Sequence, residues 1–175
     1  MTEAQLRTYV RDIKDFPKPG IVFKDITPLL AAGAALQAVV DQIADRYRGK
    51  MDMVLGIESR GFIIGSAVAY RLGLGLALVR KPGKLPHQTY AARYELEYGS
   101  DTLEIHRDAF GNKSRVLIVD DLLATGGTAA AAIELVKRLD GEVTACAFII
   151  ELAFLNGRKR LESPEIFSLI RYDGE

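Results

Sequence analysis

A single cysteine, Cys146, stands in a chain of 175 residues. That excludes an intrachain disulfide framework and any zinc site built from a cysteine cluster, and it fits a reducing compartment. An excess of charge of either sign is also missing, since 23 Lys and Arg balance 23 Asp and Glu. A general nucleic-acid or membrane-surface binder needs a basic field, so no nucleic acid and no membrane is expected as a partner. A local anion site stays open. No apolar run approaches the roughly 18 residues of a membrane span. The opening MTEAQLRTYV has no basic stretch leading into an apolar one, so no signal peptide is expected. The expected location is cytoplasmic. No repeat with a period of about 20–50 residues and no low-complexity tract is present. Neither GxxxxGKS nor GxxxxGKT occurs, and no GxGxxG follows a strand, which excludes a P-loop and a dinucleotide fingerprint. What the chain does have is 49% hydrophobic residues, enough at this length to bury the core of one domain without covalent staples.

The pattern of those residues predicts the elements. Leu6, Tyr9, Val10 and Ile13 recur at helical spacing and predict a helix over 3–15. FPKPGIVF then breaks it with two prolines. Thr27 before Pro28 reads as an N-cap with proline at the first helical position. Leu36, Val39, Val40, Ile43 and Ala44 carry that helix to about Gly49. MVLGIE is a short buried strand, 61–71 a helix stopped by Gly73, and LALVRK a second strand. Residues 82–92 lack apolar periodicity and are predicted as a loop, of a length that usually means function or disorder. YELEY and TLEIH flank Gly99-Ser100-Asp101 as a hairpin. RVLIVDD is a strand, 126–139 an alanine-rich helix stopped by Gly141, and VTACAFII and IFSLIR are two further strands. Buried strands alternating with helices predict an α/β fold, a parallel sheet with helices on both faces. Ligands bind such sheets beyond the carboxyl ends of the strands, here after Glu58, Lys81 and Asp121.

The most informative stretch is VLIVDDLLATGGTAAAA, 116–132. An apolar strand delivers Asp120 and Asp121 to its end, and the small-residue turn Ala124-Thr125-Gly126-Gly127-Thr128 opens a helix. Small residues let the backbone fold tightly, so several N–H groups converge at a helix N-terminus, where the dipole favours an anion. Thr125 and Thr128 add hydroxyl donors. A monoester phosphate fits there. The two carboxylates suit vicinal ribose hydroxyls, or else repel a base and hold its cation. A sugar diol beside a phosphate describes a ribose 5-phosphate.

Other segments read less sharply. Arg60, in Ser59-Arg60-Gly61 at a helix start, brings a delocalised cation with five donors that suits a pyrophosphate. A surface arginine beside an acid is the plainer reading. Arg80, Lys81 and Lys84 are either a solvated edge or a cationic loop that closes over an anion and excludes water. His87 sits in the same loop, where a histidine is most simply solvated. In YELEY, alternation puts Glu95 and Glu97 on one face, either a polar hairpin face or a source of a proton acceptor. Phe23 is either core or a flat surface for stacking.

VDDLLATGGT resembles the phosphoribosyl-pyrophosphate motif of the type I phosphoribosyltransferases: hydrophobic strand, two acids, then a turn of threonines and glycines. FPKPGIVFKDITPLL (16–30), GIESRGFIIG (56–65), VRKPGKLP (79–86) and YELEYG (94–99) precede it in that order. Together these blocks are similar to the adenine phosphoribosyltransferase family, over about residues 5 to 160. The resemblance implies the type I phosphoribosyltransferase fold as a single domain, with a small hood at about 1–30 and a core at about 31–175. It implies transfer of the 5-phosphoribosyl group from 5-phosphoribosyl 1-pyrophosphate to adenine, giving AMP and pyrophosphate, with Mg2+ bound mainly through substrate and no committed protein ligand. It further implies a homodimer.

Residue roles follow from the resemblance. Glu58, Ser59 and Arg60 form a pyrophosphate loop that begins with a non-proline cis peptide, and Arg80, Lys81 and Lys84 contact pyrophosphate, some from a neighbouring subunit. Glu97 approaches the purine N7 and handles the proton lost as the glycosidic bond forms, with Tyr98 beside it. Val22, Phe23 and Lys24 form the hood over the base, and Leu122 covers its other face. Many relatives carry arginine at Lys24, which puts a bidentate role there in doubt and leaves backbone recognition untouched. The catalytic candidates are Glu97, Arg60, Asp120 and Asp121. Two other functions remain compatible: transfer to xanthine, hypoxanthine or guanine, and a non-catalytic sensor of the same donor.

Overall fold

A computed structural model describes residues 1–95, 100–161 and 164–174. It opens with α1 (Glu3–Arg7), started by a capping box in which Thr2 accepts from the Gln5 amide and the Gln5 side chain returns to the Thr2 amide. The predicted helix over 3–15 ends there. Residues Arg11–Lys14 form β1, antiparallel to β2 (Val22–Asp25), with Ile13 opposite Phe23. Leu6 is fully buried whereas Ile13 is 36% exposed, so the apolar spacing did not mark one core-facing stripe, and pairing with β2 decides the backbone. The next helix also differs from expectation. Thr27 is its first residue and Ile26 its N-cap. Asp25 does the capping, accepting from both the Thr27 amide and the Thr27 hydroxyl at 2.9 Å. This α2 (Thr27–Ala31) stops at Ala32, which is extended, and α3 (Gly33–Tyr47) restarts the turn.

Further along come β3 (Met53–Ile57), α4 (Arg60–Leu72), β4 (Gly75–Val79), β5 (Thr89–Glu95) and β6 (Ser100–His106). Then follow β7 (Arg115–Leu123), α5 (Gly127–Arg138), β8 (Glu142–Leu152), 3-10 turns at Ala153–Leu155 and Gly157–Arg160, and β9 (Glu165–Tyr172). The predicted loop over 82–92 gives way to strand at Thr89, because β5 pairs with β6 along its whole length. Glu95 faces Ser100, so Ser100 and Asp101 are strand rather than turn. Among the described residues no helix is long and apolar enough to cross a membrane.

The central sheet is parallel throughout, in the order β4-β3-β7-β8-β9. Its inner strands read as unbroken apolar runs because both faces are covered. Along β7, Leu117 and Val119 join one core with α3 and α4, while Val116 and Ile118 join the other with α5 and the β5–β6 ribbon. Each such side chain taken from water stabilises the fold by about 1.5–3 kcal/mol, which overrides the weak strand propensity of single residues. Glycines then set how closely α4 approaches the sheet. A Cβ on Gly61 would lie 2.8 Å from both Asp120 Oδ1 and the Val119 carbonyl oxygen. A Cβ on Gly56 would lie 3.0 Å from the Gly61 carbonyl oxygen. The start of α4 is thereby drawn against the carboxyl end of β7.

Candidate active site

The carboxyl ends of β3, β4 and β7 surround a cleft of about 210 Å3. Glu58, Ser59, Arg60, Lys81, Asp120, Asp121, Leu122 and the loop Ala124–Thr128 all line it, together with Tyr94, Leu103 and Leu123. The chemistry of Arg60, Asp120, Asp121 and the Ala124–Thr128 turn predicts an anion and sugar site, the resemblance adds Glu58 and Ser59, and the fold brings the cationic turn and the acidic strand end to one cavity.

Asp120 and Asp121 are both buried. Asp120 Oδ1 accepts from the Asp121 amide at 2.9 Å. Burial, followed by the neighbouring Asp121 charge, holds the Asp120 carboxyl well above the usual carboxylate range. Asp121 is compensated directly: Arg60 Nε donates to its Oδ2. Arg60 keeps 44% of its side chain exposed, so its guanidinium spans the buried carboxylate and the open cleft.

The loop below them is made of backbone. Gly126 lies at φ 81° and is the N-cap of α5, with no side chain capping the helix. The first amides of an α-helix have no intrahelical carbonyl to bind, and here they face a cleft. Gly126 is required twice, by its φ and by space, since a Cβ there would sit 2.5 Å from the Gly157 carbonyl oxygen. Gly157 was not singled out from the sequence. The Asn-Gly pair at 156–157 is a turn signal, but nothing local says that the turn abuts residue 126.

The β3–α4 turn begins with a cis peptide between Glu58 and Ser59. Glu58 accepts from the Lys81 amide at 2.9 Å and from Arg80 Nε and Nη2 at 3.2 Å each. The Lys81 amide first, and then the Arg80 side chain, hold its carboxyl below the usual range. Glu58 therefore braces the two cations, while Arg80 Nη1 donates to the Lys84 carbonyl at 3.2 Å. Lys81 Nζ donates to Asp101 Oδ2 at 2.7 Å, and the Tyr94 hydroxyl reaches the same oxygen at 3.4 Å. Asp101 and Tyr94 were not predicted as site residues; they belong to the ribbon, whose docking on α5 brings Tyr94 to the cleft and Asp101 to the cleft-lining Lys81. Lys84 and His87 do not line the cavity. The His87 amide donates to His106 Nε2 at 3.3 Å.

The residues expected over the base fall into two groups. Val22, Phe23 and Lys24 do not line the cleft, whereas Leu122 does. The Phe23 ring packs edge-on against Phe16, with centroids 5.3 Å apart, and lies 6.0 Å from the Arg60 guanidinium carbon. Lys24 is buried. Its ammonium donates to Asp12 at 2.9 Å and lies 4.4 Å from the centroid of the Tyr172 ring, so it fastens β2 to β1 and to the last strand. Glu97 and Tyr98 lie outside the described residues.

Comparison with known proteins agrees with this geometry. The family model described as the phosphoribosyl transferase domain matches residues 23–170. The adenine phosphoribosyltransferase of Syntrophotalea carbinolica is 58% identical over 95% of this chain and 98% of its own length. The crystal structure of adenine phosphoribosyltransferase from Thermoanaerobacter pseudethanolicus superposes with a TM-score of 0.94 at 50% identity, covering 98% of this chain and all of the other. The Saccharomyces cerevisiae enzyme, solved with adenine and an imino-altritol bisphosphate, gives a TM-score of 0.90 at 40% identity, over 96% and 98% of the two chains. A family match over most of the chain and relatives this similar, on a cleft built from paired aspartates and an open helix N-terminus, establish that the chain belongs to the phosphoribosyl transferase family, among its adenine phosphoribosyltransferases.

Proposed function

We infer that this chain transfers the 5-phosphoribosyl group from 5-phosphoribosyl 1-pyrophosphate to adenine, giving AMP and pyrophosphate, a reaction of purine salvage. One observation carries the reading: two buried aspartates end a strand beside the uncapped N-terminus of α5, inside one cleft. The amides of 126–128 and the hydroxyls of Thr125 and Thr128 receive the donor's 5-phosphate. Asp120 and Asp121 take the ribose hydroxyls, and Asp121, paired with Arg60, places negative charge near the oxocarbenium-like sugar carbon. Arg60 and Lys81, both lining the cleft, stabilise the departing pyrophosphate, with Ser59 beside them and Arg80 and Lys84 behind. Glu58 is the brace for Arg80 and Lys81. Phe23 stacks on the base, whose edge the Val22 and Lys24 backbones read, Leu122 covers its other face, and Glu97 takes its proton. Much of the acceleration comes from holding the two substrates in attack geometry.

Magnesium asks for hard oxygen ligands. Asp120 and Asp121 bring such oxygens to the cleft. These two carboxylates suit a magnesium ion held mainly by substrate oxygens and water, and bound there it would neutralise charge on the leaving group. Exposed apolar side chains on α4 (Tyr70, 89%, and Ile63, 48%) and on the edge strand β4 (Leu78, 37%) are in keeping with a homodimer. Sedimentation at a single chain mass would count against it. Cytoplasmic residence fits the one free cysteine, Cys146, a buried thiol.

The decisive assay incubates the enzyme with the donor and equimolar adenine, hypoxanthine, guanine and xanthine. AMP is the expected major product. IMP, GMP or XMP in its place refutes the base assignment, and no nucleotide at all refutes the activity.

A further inference from the structure

The turn behind the phosphate loop contributes nothing to the wall of the cleft, yet it bears on the loop directly. Beyond β8, Asn156 turns the chain at φ 56°, and the Gly157–Arg160 turn follows. A Cβ on Gly157 would come 2.1 Å from the Ala124 carbonyl oxygen and 2.9 Å from the Gly126 nitrogen. The two backbones meet with no side chain between them. In a close-packed interior a shift of one is passed to the other.

The next residue, Arg158, anchors that turn. Its Nε donates to Glu151 Oε1 at 2.9 Å and its Nη2 to Glu151 Oε2 at 2.5 Å. Its Nη1 donates to the Ile166 carbonyl at 3.0 Å, and the Ser168 hydroxyl completes the carboxylate at 2.5 Å. Glu151 is 2% exposed. It sits in register with Leu123 of β7 on one side and Arg171 of β9 on the other, and Leu123 immediately precedes Ala124. The carboxylate is thus fixed beside the root of the loop, and the arginine fork reaches back to it from the turn. Neither residue lines the cleft. Only the carboxylate is buried: Arg158 keeps 42% of its side chain exposed, so solvent screens the Coulomb attraction of the pair. Its two parallel N–H···O bonds instead define a direction.

We propose that Glu151 and Arg158 are positioning residues for the phosphoribosyl donor: their pair holds the Gly157 turn against Ala124–Gly126 and so sets the amide geometry that receives the 5-phosphate. The proposal rests on the cleft being the donor site. Its consequence is selective. Donor affinity depends on the pair, and adenine affinity does not.

The test compares Arg158→Gln, Arg158→Lys and Gly157→Ala with the wild type. Calorimetry reads the Kd of ribose 5-phosphate, and kinetics read KM for donor and adenine separately. Arg158→Gln is expected to weaken ribose 5-phosphate roughly tenfold or more and to raise the donor KM by a similar factor, with adenine KM changed less than about twofold. Arg158→Lys keeps the charge without the fork and recovers only part of the loss. Gly157→Ala produces the same selective loss with the ion pair intact, because its Cβ is driven into the Ala124 carbonyl. Wild-type ribose 5-phosphate affinity in the folded Arg158→Gln protein overturns the proposal, as does an equal loss for both substrates. Where Arg158→Gln does not fold, Arg158→Lys is read by the same criteria. A wild type that binds ribose 5-phosphate but makes no AMP refutes the activity alone; one that fails to bind it overturns both.

Discussion

Gly61→Ala and Gly65→Ala place the same methyl group four residues apart on one helix, and the structure gives them opposite outcomes. At Gly61 the new Cβ meets Asp120 Oδ1 and the Val119 carbonyl oxygen, both at 2.8 Å. Neither is the far end of a flexible side chain: one belongs to a buried strand backbone and the other to a carboxylate held by the Asp121 amide. Overpacking of this kind costs about 1–3 kcal/mol; at this chain length each kcal/mol lowers Tm by about 2–4 °C, so a fall of roughly 2–12 °C is expected. The relief available is to push α4 or Asp120 away from β7, and a misplacement near 1 Å at a reacting site lowers kcat/KM for the donor by about 100-fold. At Gly65 the Cβ finds Gly56 Cα and Leu76 Cδ1 at 3.4 Å, ordinary contact. There the helix gains about 0.5–1 kcal/mol from losing a glycine, and Tm should rise by about 1–4 °C. Thermal melts and donor kinetics on both variants check this. A Gly61→Ala protein that melts and turns over like the wild type, or a Gly65→Ala protein that is the worse of the two, refutes the packing argument.

Asp120→Asn should stabilise the fold while lowering activity. The raised Asp120 carboxyl means that the native state binds a proton the unfolded chain releases, so stability falls as pH rises above the ordinary value of 3.8. Asparagine keeps the acceptor for the Asp121 amide and removes this cost, so the gain in Tm, about 2–4 °C for each kcal/mol, is absent near pH 3.8 and grows toward neutrality. Melts across pH that show no gain, or a gain largest in acid, contradict the assignment. Asp121→Asn and Arg60→Ala should each lower donor kcat/KM by at least about tenfold, the scale of one charge-assisted hydrogen bond. Donor kinetics near wild type in both would remove the ribose and pyrophosphate roles.

The apolar strands and the acid-acid-threonine-glycine turn were legible because their signals are local. An unbroken run such as VLIV is buried on both faces wherever it sits in a parallel sheet, and a small-residue turn exposes amides whatever surrounds it. The α/β class and the Asp120–Thr128 segment therefore follow from residue order alone. Where periodicity misled, a distant partner had the larger energy: β1 lies where a helix was predicted because Ile13 pairs with Phe23, and Thr27 is capped by Asp25 instead of capping. The same holds for Gly157, Tyr94, Asp101 and the Glu151–Arg158 pair, which carry no sequence signature of a site. Their place depends on which turn abuts Gly126 and which ribbon docks on α5. Sequence by itself determined the chemistry available at the end of β7, since that chemistry is intrinsic to a few consecutive residues. Only the tertiary structure decided which cations and glycines stand around it and which turn the Glu151–Arg158 pair presses against the loop, because the meeting of Gly157 with Ala124 and Gly126 joins segments whose separation along the chain leaves no local trace.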